Sequence, residues 1–127
     1  MSQENKIKAL IVDDQPAIVN LLKQVMESIG VEPILASDGE MALEKILAHK
    51  PDIVFTDILM PKMNGIVLLR KIKAFNPYLP VIVFTGYTHY RELIQNENAK
   101  PDNFLAKPLN VKQIIEIMLN SFPSLRR

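Results

Sequence analysis

The chain has 127 residues, the usual length of one domain and too short for two independent cores. Its 15 basic and 14 acidic residues leave a formal net charge of +1, which gives no reason to expect a nucleic acid or an anionic membrane as partner. Cysteine is absent, so disulfides and thiolate metal sites are excluded. No apolar run approaches the roughly 20 residues of a membrane span, and the polar start is unlike a signal peptide. We therefore expect one cytoplasmic domain over residues 1–127.

Five short apolar runs predict buried strands. They are nearly continuous rather than alternating, which is typical of parallel strands whose sheet is covered by helices on both faces. In chain order the runs are Ala9–Val12, Ile34–Ala36, Ile53–Phe55, Val81–Phe84 and Phe104–Ala106.

Helical patterns lie between and after these runs. Apolar residues three and four positions apart predict helices around residues 18–29, 43–47, 68–72 and 111–119. Between the fourth and fifth runs, Tyr90, Leu93 and Ile94 begin a helical face, but residues 95–98 are polar and do not continue it. A short or irregular helix is expected there.

Start and stop signals bound these helices. Gly30 ends the first, and Ser37 followed three residues later by Glu40 predicts a capping box for the second. Asn110 with Gln113 marks the start of the last. Strand and helix thus alternate along the chain, which predicts an α/β fold with a doubly wound parallel sheet and right-handed crossovers.

Polar side chains follow four of the five predicted strands. In parallel α/β sheets, binding sites form beyond the carboxyl ends of the strands. If the first and third strands are neighbours, three carboxylates meet, and each pair at about 4 Å costs about 4 kcal/mol at an effective dielectric of about 20. Raised pKa values or bound cations would relieve this repulsion. The groups at this edge are Asp13-Asp14, Asp57, Thr85-Gly86 and Lys107-Pro108.

Lys107 could supply one positive charge at this edge, and a divalent ion suits the carboxylates better. Only oxygen ligands are at hand, which favours Mg²⁺, with Mn²⁺ as a substitute. A carboxylate such as Asp57 can attack phosphorus and form an aspartyl phosphate. The metal, the lysine and the Thr85 hydroxyl would then stabilise the transferring phosphoryl group. The residues predict a phosphoryl-accepting site.

Each of these residues also has an ordinary structural explanation. Asp14, before Gln15 and Pro16, could be only a helix N-cap. Thr85 could be a satisfied hydroxyl at a strand end, and a Lys-Pro pair is common in loops. The convergence of several polar strand ends on one edge favours the functional interpretation.

The same residues resemble the receiver domain of two-component response regulators, over roughly residues 6–122. The resemblance implies a flavodoxin-like fold with strand order 2-1-3-4-5. Because it covers almost the whole chain, we expect no output domain within these residues. It is carried by Asp13-Asp14, residues 57–65, Thr85-Gly86 and residues 104–108.

The resemblance also implies roles for single residues. Asp57 would accept a phosphoryl group from a histidine kinase or a phosphotransfer protein. Asp14, Asp57 and the backbone carbonyl of Leu59 would bind Mg²⁺ directly, with Asp13 acting largely through water. Lys107 would contact the phosphoryl oxygens, and the peptide bond to the proline that follows it would be cis.

A switch pair is implied as well, in which the Thr85 hydroxyl moves to the phosphoryl group and the Phe104 ring turns inward. Phe104 fits a permanent core position equally well. The switch would signal to a downstream protein or output domain. Leu59 and Tyr87 lie two residues after Asp57 and Thr85, at positions where the family often has polar residues that orient the hydrolytic water. Slow self-dephosphorylation is therefore expected.

Other assignments remain open at this stage. The family often has Gly-Ala before the fifth strand, whereas residues 99–102 read AKPD here, so the mode of dimerisation is not implied. A receiver-like scaffold that is never phosphorylated is one alternative. A phosphatase of the haloacid dehalogenase type is a second, but it would need an aspartate two positions after the nucleophile, where Leu59 stands. A flavin-binding electron carrier is a third, but its first loop must bind a phosphate, which Asp13-Asp14 would repel.

Overall fold

A computed structural model of the chain describes residues 6–60, 63–86 and 100–126. Within these ranges five parallel strands form one sheet in the order β2-β1-β3-β4-β5, which confirms the predicted fold class. The strands are β1 (Lys8–Val12), β2 (Glu32–Ala36), β3 (Ile53–Asp57), β4 (Val81–Thr85) and β5 (Asn103–Ala106). Every predicted apolar run is part of a strand.

Burial explains the apolar runs. All five residues of β3 and of β4 are buried, since these strands lie inside the sheet with helices packed on its faces. The edge strands are less covered, and Leu105 is the buried residue of β5. The polar residues that end β3 and β4, Asp57 and Thr85, are therefore buried together with the apolar residues that precede them.

Helices cover both faces of this sheet. One core cluster joins it to α2 and α3, and a second joins it to α1 and α4. A 3-10 turn, Pro123–Leu125, follows the last helix. The helices are α1 (Pro16–Ser28), α2 (Gly39–His49), α3 (Gly65–Phe75) and α4 (Val111–Ser121). In the described ranges, none of them has both the length and the apolar content needed to cross a bilayer.

The helix starts differ in part from prediction. Asn110 caps α4 as expected, since its side chain accepts a hydrogen bond from the Gln113 N–H at 3.2 Å. The predicted capping box at Ser37 is wrong, because Asp38 is the N-cap of α2 and accepts from the Met41 N–H at 2.8 Å. Aspartate and serine are comparable caps, so adjacent candidates were not separable by propensity.

Several predictions fall on residues that the structure does not describe. The helical pattern at Tyr90, Leu93 and Ile94 lies outside the described residues, as do Tyr87 and positions 61 and 62 of the 57–65 stretch.

The turn from β3 to α3 depends on the Asn64-Gly65 pair. The Asn64 side chain caps α3 by accepting from the Val67 N–H at 2.9 Å, and the Gly65 N–H donates to the Ile58 carbonyl at 2.7 Å. A Cβ atom on Gly65 would lie 2.9 Å from the Ile58 Cα and nearer still to the Asp57 carbonyl oxygen. Glycine is thus required because backbone passes directly over this position.

We predict that Gly65→Ala destabilises the protein by about 1–3 kcal/mol, since relief of the clash must move the backbone that carries Asp57. Gly86→Ala is the matched control, because among the described residues a Cβ there meets only the Lys107 Cβ, at an ordinary 3.9 Å. Urea unfolding of the two variants and the wild type measures the difference. Equal midpoints for both variants would contradict the prediction.

Candidate functional site

The register of the sheet places carboxylates from two strands next to each other. Val12 of β1 pairs with Thr56 of β3, so the residues that follow them, Asp13 and Asp57, are neighbours at one sheet edge. Both are buried, with 1% and 4% of their surface exposed. Two buried carboxylates side by side repel each other unless a cation lies near them or one of them is protonated.

Lys107 brings that charge from the end of β5. Its ammonium donates to Asp57 Oδ2 at 2.9 Å and lies 3.7 Å from Asp13 Oδ2. The same nitrogen lies 5.6 Å from the centroid of the buried Phe84 ring, within the range of a cation–π interaction. The Lys107–Pro108 peptide bond is cis.

The Asp13 carboxylate is only partly satisfied by its neighbours. Its Oδ1 accepts from the Gln15 N–H at 2.9 Å, whereas Oδ2 has no hydrogen-bond partner among the described residues. Burial, aided by the charges of Asp57 and Asp14, raises the pKa of Asp13 from 3.8 to about 6. The Gln15 N–H and the Lys107 ammonium oppose this rise without cancelling it.

Asp14 lies beside this pair and is exposed. It lines a cleft of about 230 Å³ together with Asp57, Leu59 and Lys107. The alternative that Asp14 only caps α1 is wrong, because the N-cap is Gln15 and makes no side-chain cap hydrogen bond.

Thr85 and Gly86 complete the cleft wall from the end of β4. Thr85 is buried, and its carbonyl accepts from the Lys107 N–H at 2.9 Å, which continues the β4–β5 pairing into the site. Phe104, in β5, is partly buried and packs against the core cluster under α2 and α3. It does not line the cleft.

A divalent ion fits the donor set of this edge. In the described part of the chain no three Asp, Glu, His or Cys side chains are grouped to hold a metal alone. The carboxylates at this edge nevertheless offer oxygen ligands only, and Asp13 Oδ2 accepts no hydrogen bond from a described residue. Mg²⁺ prefers such ligands and keeps several waters, so few protein groups suffice.

Gln15 belongs to the site but was not among the residues predicted for it. Its side chain lines the cleft, and its Oε1 accepts from the Lys107 ammonium at 3.1 Å. Glutamine is not among the preferred N-cap residues. Its place just before Pro16 was therefore the one sequence signal that its side chain makes some other contact.

The family model described as response regulator receiver domain matches residues 9–119. Two solved structures are similar over nearly the whole chain. A CheY-like response regulator receiver domain protein from Methanospirillum hungatei JF-1 has a TM-score of 0.86 and 30% identity, covering 96% of this chain and 98% of that one. A response regulator receiver domain protein from Clostridium thermocellum has a TM-score of 0.83 and 28% identity, covering 94% and 97%.

Among curated proteins, the alkaline phosphatase synthesis transcriptional regulatory protein PhoP of Bacillus subtilis (strain 168) is 31% identical over 107 residues. The match covers 84% of this chain and 45% of that protein. The chain thus spans about half the length of the curated relatives it matches.

The raised pKa of Asp13 predicts a pH-dependent stability when divalent ions are removed. Below pH 3.8 the carboxyl is protonated in both states, and as pH rises to about 6 only the unfolded state releases the proton. Stability is therefore lost over this window, by up to about 3 kcal/mol for about two pKa units. Asp13→Asn should abolish that loss and be the more stable protein at neutral pH. Urea unfolding in chelator across this range measures it, and parallel pH profiles for both proteins would refute it.

Proposed function

This chain belongs to the response regulator receiver domain family, and from that premise we propose that it accepts a phosphoryl group on Asp57. The family supports a phosphorylation-dependent signalling role in two-component systems and marks the chain as a signalling domain rather than a classical enzyme. The donor would be a phosphohistidine of a histidine kinase or phosphotransfer protein. The observation that carries the proposal is the buried Asp57 carboxylate held 2.9 Å from the Lys107 ammonium.

The proposed step is a direct displacement. An Asp57 carboxylate oxygen attacks phosphorus, a new O–P bond forms, and the N–P bond to the donor imidazole breaks, its electron pair leaving on nitrogen. Lys107, already in contact with Asp57, turns to the phosphoryl oxygens and offsets their charge. The apolar residues beneath the site, Phe84 among them, keep the ammonium in a low-dielectric setting where its charge counts more than in water.

A divalent ion would be held by Asp13, Asp14, Asp57 and the Leu59 carbonyl, with water completing the set. Bound there, Mg²⁺ supplies charge neutralisation for the carboxylates and the phosphoryl oxygens, and Mn²⁺ could replace it. The buried Asp13 Oδ2 supports this assignment, because it accepts no hydrogen bond from a described residue and the Lys107 ammonium lies 3.7 Å away, so a closer cation would satisfy it.

Phosphorylation would then act as a switch. The Thr85 hydroxyl, at the cleft wall, would turn to the phosphoryl group, and Phe104 on the neighbouring strand would follow it inward. Such a change biases the surface read by a downstream protein or output domain. We further propose that residues 1–127 form one receiver domain with its core at about 6–122, acting in the cytoplasm without direct contact with nucleic acid or membrane.

Incubation with acetyl phosphate and Mg²⁺ should add one phosphoryl group to the wild type, detected as intact mass. Asp57→Asn should add none, because an amide is not a nucleophile toward phosphorus. Chelation of Mg²⁺ should reduce uptake in the wild type strongly.

Asp52→Asn is the matched control, since Asp52 lies just before β3, at the opposite end of the strand that carries Asp57. It should be phosphorylated like the wild type. Uptake by Asp57→Asn equal to that of the control would disprove the assignment of the acceptor.

Slow loss of the phosphoryl group is expected because Leu59, 41% exposed at the cleft, offers no hydrogen bond to an attacking water. Leu59→Asn should shorten the phosphoryl half-life about fivefold, the effect of one hydrogen bond of about 1 kcal/mol in the transition state. Leu47→Asn, the same change at an exposed position of α2, is the control. Decay of the phosphoprotein after donor removal measures it, and an unchanged half-life in Leu59→Asn would count against the idea.

A further inference from the structure

Gln15 is a cleft residue without a role in the mechanism above. Its backbone is fixed on both sides: its N–H donates to Asp13 Oδ1 at 2.9 Å, and its carbonyl accepts from Ile18 and Val19 in the first turn of α1, each at 3.1 Å. The side chain therefore starts from a fixed point at the cleft mouth. It makes no cap hydrogen bond and reaches across the cleft instead.

The contact it makes is with Lys107. Gln15 Oε1 accepts from the ammonium at 3.1 Å, beside the 2.9 Å contact of the same nitrogen with Asp57. Lysine has donors only, so the amide oxygen must face it and the amide hydrogens must point away. Two acceptors at different positions fix the ammonium better than one, since a lysine side chain is long and flexible.

We propose that Gln15 is a positioning residue, which holds the Lys107 ammonium against Asp57 and thereby sets the rate of phosphoryl uptake. The inference rests on the proposed function, because it concerns the reaction of Asp57. As Asp57 forms its bond to phosphorus and the donor bond breaks, charge collects on the phosphoryl oxygens. An ammonium already in place needs little reorganisation to meet it.

A neutral acceptor suits this position for an electrostatic reason. The cleft already contains Asp14 and Asp57, with Asp13 behind them. A glutamate in place of Gln15 would keep a contact with Lys107 but add a further negative charge, compete for the ammonium and repel an anionic donor. Gln15→Glu should therefore be slower than the wild type even though it can bind lysine.

Gln15→Met preserves side-chain length and every backbone contact while removing the amide. With acetyl phosphate and Mg²⁺ we expect uptake to slow about fivefold, the effect of one lost hydrogen bond. Affinity for Mg²⁺, titrated separately, should stay within about twofold, because the carboxylates are untouched. Gln24→Met, the same change at an exposed position of α1, should match the wild type.

A double-mutant cycle separates positioning from a general structural effect. In a Lys107→Met background, Gln15→Met should cause no further slowing, because the group that it positions is gone. An equal slowing in both backgrounds would overturn the proposal, as would a Gln15→Met rate equal to that of Gln24→Met. Uptake by none of the proteins, wild type included, would instead overturn the proposed function and this inference with it.

Discussion

The contact between Lys107 and Asp57 is the interaction on which the site depends. Asp57 closes a strand in which every residue is buried, so its carboxylate cannot be left to solvent. Lys107, fifty positions later in the chain, supplies the charge at 2.9 Å. One ammonium cannot balance Asp13, Asp14 and Asp57 together. Burial is the main cause of the raised pKa of Asp13, and the charges of Asp57 and Asp14 add to the rise. The excess of negative charge at this edge favours a divalent cation.

Strand order is what turns separated sequence motifs into one site. Neighbouring strands β1 and β3 place Asp13 beside Asp57, and β4 next to β3 brings Thr85 to the cleft wall. Parallel strands all end at one edge, so polar residues at their carboxyl ends gather there without any further device. This is why the meeting of Asp57 and Lys107 could be predicted from their positions after apolar runs, before any distance was known.

Features that depend on the contacts of single side chains were harder to predict from the sequence. The periodic apolar patterns located the strands and helices because burial averages over many residues. The start of α2 was misplaced by one residue, since Ser37 and Asp38 are both good caps and only the local backbone decides between them. Gln15 was missed because its partner Lys107 is 92 positions away and no local pattern encodes such a contact.

The position of Lys107 also depends on the far end of β5, a strand with little burial of its own. Asp102, just before β5, makes two hydrogen bonds with Val81, the first residue of β4. Its N–H donates to the Val81 carbonyl and its carboxylate accepts from the Val81 N–H, both at 2.8 Å. Lys73 of α3 binds the same carboxylate at 2.8 Å and also donates to the Leu79 carbonyl. These polar contacts fix the register of β5 on β4 where apolar packing is weak. Because side chains alternate between faces, a slip of one residue would carry Lys107 away from Asp57. The polar contacts before β5 thus help to place the lysine that follows the strand.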